Sequence, residues 1–271
     1  MKHIKTIALV LSTSLMMGTL AGCHSAKEPV TTTTAGSETI TSIEIPTTIE
    51  SSEASETSTS NEYIIVFDND AQEYANTFIT CFAGNYFKNY EKGKASLEEY
   101  LDFAFAYLKY NTNDAIGYKT KGEVSYQTIT FAQAMRVAGD MFGTLLKEED
   151  CKALPAPPTT YGDNGDGPYY EDGKIWFMAS DGEEQNCIAI VDSARNNLDG
   201  TITLNFTVYA INMKTYLDLD EEKIKEYCKM TSDKAQADKT LEKVSAGTAT
   251  VGVTQTGGYY LISYKTEKSG T

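Results

Sequence analysis

Residues 201–210 alternate without a miss: Ile202, Leu204, Phe206, Val208 and Ala210 against Thr201, Thr203, Asn205, Thr207 and Tyr209. Successive side chains on a strand point to opposite faces, so this run requires a sheet with one face on a core. Ala249, Val251 and Val253 alternate in the same way with Thr248, Thr250 and Thr254. Residues 174–180, 186–193 and 259–264 are further strand candidates. Asp-Gly pairs at 172–173, 181–182 and 199–200 punctuate them, and Asp-Gly supplies the positive φ angles that tight hairpins need.

Helical periodicity comes before the strands. Asn69 or Asp70 can cap a helix running to about Tyr90, with Tyr74, Phe78, Cys81 and Phe82 on one apolar stripe. Ser96 and Glu99 have capping-box spacing, and Leu97, Leu101, Ala104 and Leu108 follow on one face, widened by Phe103, Phe105 and Tyr107. A third helix is capped by Thr130 with Gln133, carries Phe131, Ala134, Ala138, Met141 and Phe142, and stops at Gly143. Residues 116–129 between the second and third helices read as a hairpin turning near Lys121-Gly122. Residues 220–230 read as a short helical excursion between strands, extending towards Lys243. Helices first and an antiparallel meander second predict an α+β fold, with three N-terminal helices packed on a curved, mainly antiparallel sheet.

The N-terminus reads differently. Lys2 and Lys5 precede an apolar run from Ile7 to Leu20, which has the length of a signal-peptide core and is short for a membrane span. Leu20, Ala21, Gly22 and Cys23 follow. This pattern resembles the bacterial lipoprotein family, whose signal ends in a Leu-Ala-Gly-Cys lipobox. The resemblance implies a signal peptide over 1–22, with Leu20, Ala21 and Gly22 recognised by the signal peptidase. It also implies lipid on Cys23 and a location on the extracytoplasmic face of a membrane. Two or three acyl chains hold a protein stably on a bilayer, where one binds marginally.

Residues 23–62 are dominated by Ser, Thr and Glu, with Ile40, Ile43, Ile45 and Ile49 as the main large apolar side chains. Such a segment buries too little surface to offset its ordering entropy, which predicts a disordered tether. A coil of that length averages roughly 35 Å end to end. Long Ser/Thr-rich tethers after the lipid cysteine are similar to those of Gram-positive lipoproteins, which implies a Gram-positive cell surface. The remaining residues, 63–271, are expected to form a single globular domain.

Of the net charge of −15, three lysines and seven glutamates lie before Tyr63, so residues 63–271 carry −11. That surface repels phosphate backbones and argues against nucleic acid as a partner. The expected partners are the membrane, through the lipid, and a protein or glycan ligand.

The chemistry-bearing residues are informative mainly by elimination. The two histidines, His3 and His24, both precede the domain. This excludes Ser-His-Asp and Cys-His catalysis and imidazole-dependent metal sites within it. Cys81, Cys151, Cys187 and Cys228 form no Cys-x-x-Cys pair, leaving disulfides, buried thiols and a reactive thiol open. Asp163, Asp166, Glu171, Asp172, Asp181, Glu183 and Glu184 gather near the Asp-Gly turns. Gly165 and Gly167 fall where an EF-hand loop places ligands, so these carboxylates read as solvated turns and no metal is expected. No glycine-rich phosphate loop occurs, and no cofactor is expected beyond the covalent lipid. Tyr170, Trp176, Tyr259 and Tyr260 are the candidate ligand-contact aromatics, since rings exposed on a sheet stack against sugars or anchor a partner. The opposing reading places one ring of each adjacent pair in the core.

The order of elements resembles cystatin-like and NTF2-like cones. It also resembles uncharacterised extracytoplasmic lipoproteins of clostridia, through the Phe78-x-x-x-Phe82 first helix and the aromatic strand meander. These features together lead to the expectation of a non-enzymatic binding or interaction module. The alternatives are an envelope enzyme using carboxylates on glycans, and a structural or regulatory partner of another envelope protein.

Overall fold

The computed structural model describes residues 63–84, 87, 89–111, 116–162, 167–179 and 186–268. In chain order these form β1 (Tyr63–Ile65), α1 (Asn69–Ala83), β2 (Asn89–Glu91), α2 (Leu97–Asn111), β3 (Gly117–Lys121), β4 (Val124–Thr130), α3 (Phe131–Phe142) and α4 (Glu148–Cys151). They continue with β5 (Tyr169–Glu171), β6 (Lys174–Met178), β7 (Cys187–Asn196), β8 (Thr201–Ile211), α5 (Met213–Leu217), α6 (Glu221–Cys228), α7 (Ser232–Ala237), β9 (Leu241–Val253) and β10 (Tyr259–Lys268). The fold is mixed α and β. The signal segment, Leu20 to Cys23, the tether and the Asp181-Gly182 turn lie outside the described residues.

Two antiparallel sheets take the place of the one expected. The larger has the order β1-β7-β8-β9-β10-β2, and the smaller β3-β4-β6-β5. The division follows from the local hairpins. Gly122 (φ 61°) turns β3 into β4, and Asp172 and Gly173 (φ 51° and 71°) turn β5 into β6. β6 then pairs with β4 rather than with any later strand. Between β7 and β8, Leu198 and Gly200 supply the positive φ angles of the 199–200 turn (63° and 84°).

The helix ends follow their side chains. Asp68, rather than Asn69 or Asp70, caps α1, its Oδ1 accepting from the Ala71 amide at 2.8 Å. α1 ends at Ala83, short of the expected Tyr90, because residues 89–91 form β2 and pair with β10. That pairing sets Tyr90 opposite Tyr264, and both rings are buried. The Ser96–Glu99 box closes at 2.7 and 3.2 Å. The Thr130–Gln133 box forms at the start of α3, and Gly143 ends that helix in the left-handed conformation. The excursion after β8 does not run on towards Lys243: it breaks into α5, α6 and α7, and β9 begins at Leu241.

β1 covers only residues 194–196 of the β7 edge. Helix α1 takes over beyond that. Thr80 Oγ1 accepts from the Ala189 amide at 2.9 Å, Asn76 Oδ1 accepts from the Val191 amide at 2.7 Å, and Gln72 Nε2 donates to the Val191 carbonyl at 3.0 Å. Residues 72, 76 and 80 lie four apart and so share one helix face. Backbone groups that would otherwise be buried without partners are satisfied by side chains in place of a neighbouring strand.

The main core lies between the large sheet and helices α1, α2 and α3. Phe82 is its centre, stacked on Phe103 at 5.0 Å and edge-on to Phe78 and Phe142. One cross-strand row, Ile65, Ala194, Leu204, Ala249, Tyr264 and Tyr90, faces it in register across all six strands. A smaller cluster of Val124, Tyr126, Tyr169 and Trp176 lies on the small sheet. The proline-rich stretch is tied to that sheet where the Tyr126 hydroxyl donates to the Pro158 carbonyl at 2.6 Å.

Candidate functional site

The rows flanking the core row point to the opposite face of the large sheet, because side chains alternate along every strand. One row runs Ile64, Arg195, Thr203, Thr250, Ser263, Glu91. The next runs Ser193, Asn205, Thr248, Lys265, Asn89. All but Ile64 are polar. Ile64, Ser193, Asn205, Thr248, Lys265, Asn89 and Glu91 are exposed, and the others are half-buried. Their side chains hold one another in place across strands. Asn205 Nδ2 donates to Ser193 Oγ at 3.0 Å, and Thr248 Oγ1 donates to Asn205 Oδ1 at 3.2 Å. Asn197 bonds Thr201 and Thr203 at 3.0 and 2.9 Å.

The same face changes character further along the strands. Ile188, Ile190, Tyr209 and Ile211 are covered there by Leu219, Ile224, Tyr227 and Ala235 from the excursion. Asp192 marks the boundary, accepting from Thr207 at 2.9 Å and from Ser232 at the start of α7. Helices therefore cover the apolar half, and among the described residues the polar half is open.

The β2 end of the polar half carries a groove of about 420 Å³, lined by Asn89, Glu91, Lys94, Glu99, Ser263 and Lys265 among others. Lys94 pairs with Glu91 at 2.7 Å and Lys265 with Glu267 at 2.9 Å, and all four side chains are well exposed. Such pairs contribute at most about 1 kcal/mol each. The groove thus offers ammonium, carboxylate, hydroxyl and amide groups without a large excess of either charge. Tyr90, Ala95 and Tyr264 line it as well, so it suits a ligand that combines hydrogen-bonding groups with an apolar face.

The candidate aromatics do not form one platform. Tyr170 and Trp176 belong to the small sheet, and Tyr259 and Tyr260 to the large one. Trp176 is buried edge-on to Tyr126 at 5.5 Å, and its Nε1 donates to the Glu171 carbonyl at 3.2 Å. Tyr170 donates its hydroxyl to the Glu148 carboxylate, which pushes its pKa up to about 12. Tyr259 packs on Tyr74 and Phe78 at 5.0 and 5.7 Å, and desolvation pushes it up to about 12. Tyr260 lies under the Lys92 ammonium at 4.5 Å, and its ring occupies the space a Cβ would need at Gly252. Of the polar face, Thr203, Asn205, Thr248 and Thr250 were read in the sequence as the polar side of alternating strands, whereas Asn89 was read as part of the first helix. Their alignment across five strands depends on registers that no local pattern states.

No family model matches the chain, and no match is found among curated proteins or solved structures.

The four domain cysteines are free thiols, three buried and Cys187 half-buried. Among the described residues, no group of three or more His, Cys, Asp or Glu side chains converges as metal ligands would. No described helix is long and apolar enough to cross a membrane.

Proposed function

We propose that the chain is an exported lipoprotein, held on the extracytoplasmic face of a membrane by lipid on Cys23. Its folded portion acts as a non-enzymatic binding or interaction module, and a Gram-positive surface is the setting. The signal-like order of Lys2, Lys5, the apolar run and Leu20-Ala21-Gly22-Cys23 supports the anchor. The observation that carries the binding reading is the pair of polar rows crossing β7, β8, β9, β10 and β2, open on the side away from the core and ending in the groove. The arrangement of α1 to α3 against a curved sheet, on the pattern of cystatin-like or NTF2-like cones, belongs to the same proposal. Contacts of α1 with β7 and of α3 with β10 support it.

Two experiments test this reading. Radioactive fatty acid should label the wild type and leave Cys23→Ser unlabelled, and equal labelling overturns the anchor. The chain lacking residues 1–22 should retain a ligand on glycan and peptide arrays, with at least about tenfold loss in Asn205→Lys/Thr250→Lys, a difference of about 1.4 kcal/mol. Retention unchanged by those substitutions, or no retained ligand, overturns the binding face.

A second reading, a structural partner of another envelope protein, is favoured by β1. Tyr63, Ile64 and Val66 are 52, 80 and 84 % exposed, as is Leu198 at 63 % in the turn after β7. Apolar side chains on an edge strand are a surface on which another chain can pair.

A further inference from the structure

The small sheet has a face that the polar rows do not reach. Ile129, Ile175 and Phe177 point from it into the main core. Side chains alternate along a strand, so Val124, Tyr126 and Trp176 point the other way. These three are buried all the same, as is Tyr169 beside them. Tyr169 and Trp176 both stand edge-on to Tyr126, at 6.2 and 5.5 Å. Residues 154–159, Leu-Pro-Ala-Pro-Pro-Thr, are tied across this aromatic cluster. Leu154, Ala156 and Pro157 each precede a proline, which disfavours helix, and the prolines themselves fix φ. The segment is accordingly neither helix nor strand, and it runs as an extended polyproline II strap.

The sheet supplies the donors that hold it. The Tyr170 amide donates to the Pro155 carbonyl at 3.0 Å, the Tyr126 hydroxyl to the Pro158 carbonyl at 2.6 Å, and the Glu123 amide to the Thr159 carbonyl at 2.8 Å. A strand in this place would bring amides that need acceptors, and the three prolines bring none. Pro157 is buried, whereas Pro155, Ala156, Thr159 and Thr160 are exposed. The two edge strands of the sheet, β3 and β5, are joined without the strap, by Lys121 and Glu171 at 2.6 Å, both half-buried. The aromatic face therefore keeps its own support when the strap leaves.

We propose that this face of the small sheet is a recognition site for proline-rich segments, filled in cis by residues 155–159, and that its partner is a polyproline II stretch of another protein which displaces the strap. Aromatic surfaces with donors aimed at ligand carbonyls suit such segments, because the ligand is already extended and loses little entropy on docking. Tyr126 supplies both the ring and the donor. The strap competes as a tethered ligand, at an effective concentration in the range of ~1 mM for a short linker. The site shares no residue with the polar face of the large sheet, so either can fail alone.

Trp176 is the only tryptophan of the chain, so its emission reports on the site. The test adds a synthetic peptide of residues 152–161 to the full chain. In Pro157→Gly/Pro158→Gly the emission should move to the red as the ring meets water, and the peptide should bind saturably and move it back. The wild type should bind at least about tenfold more weakly, because its own strap competes. Adding Tyr126→Phe to the double variant should weaken the peptide about three- to tenfold, the loss of one hydrogen bond. A peptide with alanine at all three proline positions should not bind. Absence of saturable binding in a double variant whose circular dichroism matches the wild type, or equal binding of the alanine peptide, overturns the proposal. Should the double variant not fold, the wild type decides. A benzophenone-bearing peptide at millimolar concentration should crosslink to residues 124–128 or 174–178, and crosslinks elsewhere or none at all overturn the site.

Discussion

Asn76 on α1 donates to the carbonyl of Cys228 at 2.8 Å, across 152 residues of sequence. Its amide also serves the Met230 carbonyl and the Val191 amide, at 3.0 and 2.7 Å, with no exposure of its own. One side chain thus joins the first helix, the β7 edge and the junction between α6 and α7. Asn76→Ala leaves three backbone groups without that partner, and each buried orphan costs about 1–3 kcal/mol. The expected loss is on the order of 3–4 kcal/mol in urea unfolding, with faster exchange of the Val191 amide. A loss below about 1 kcal/mol would show that water replaces the amide without penalty.

Two glycines should respond in opposite directions. A Cβ at Gly247 would lie 2.5 Å from the Lys265 carbonyl oxygen and 2.4 Å from the Phe206 ring, so Gly247→Ala should cost about 1–3 kcal/mol. Gly139 sits in α3 with nothing within 4 Å of its Cβ position. There, Gly139→Ala should add about 0.5–1 kcal/mol by restricting the unfolded chain. Thermal unfolding of the two variants checks both signs.

Thr130 closes its capping box by accepting from the Gln133 amide at 3.2 Å, while Gln133 Oε1 accepts from the Thr130 amide at 2.7 Å. Thr130→Ala should destabilise by about 1 kcal/mol. Thr130→Asp should recover most of that in the same chemical denaturation series.

Alkaline pH should unfold the protein through its tyrosines. Tyr170 and Tyr259 are both pushed up to about 12 from an ordinary value of 10.0, the first by Glu148 and the second by desolvation. The folded state keeps protons that the unfolded chain releases, so these groups contribute fully below about pH 10. Their contribution falls as pH rises and is lost above about pH 12. Circular dichroism followed with tyrosinate absorbance should show ionisation arriving together with unfolding. Early ionisation in an intact fold would contradict this.

The local grammar of the chain was legible. Thr130 with Gln133, the stop at Gly143 and the turn at Asp172-Gly173 are each written within a few residues, and the structure uses them. β8 even carries the division of its outer face, as Thr201, Thr203, Asn205 and Thr207 give way to Tyr209 and Ile211 where helices cover the sheet. Other features were not legible. Gln72, Asn76 and Thr80 look like the solvent side of an amphipathic helix, yet they face the β7 edge. Tyr90 continues a helical pattern, but the distant partner Tyr264 draws it into a strand. The candidate aromatics Tyr170, Trp176, Tyr259 and Tyr260 divide between two sheets because long-range pairing decides which strands are neighbours. The polar face is invisible for the same reason: its residues are ordinary one strand at a time and become a surface only in register.

The treatment of the β7 edge has a consequence for solubility. Both outer strands of the large sheet, β1 and β2, are three residues long, while the inner ones reach 13. Where β1 ends, the β7 backbone is engaged by a helix. A foreign chain that approaches along this side finds few unpaired amides in line with one another and meets side chains in place of a ladder. Lateral growth of the sheet into a fibril is therefore hindered along the part of the β7 edge that α1 engages, which leaves the three residues of β1 as the stretch of this side on which another chain can pair.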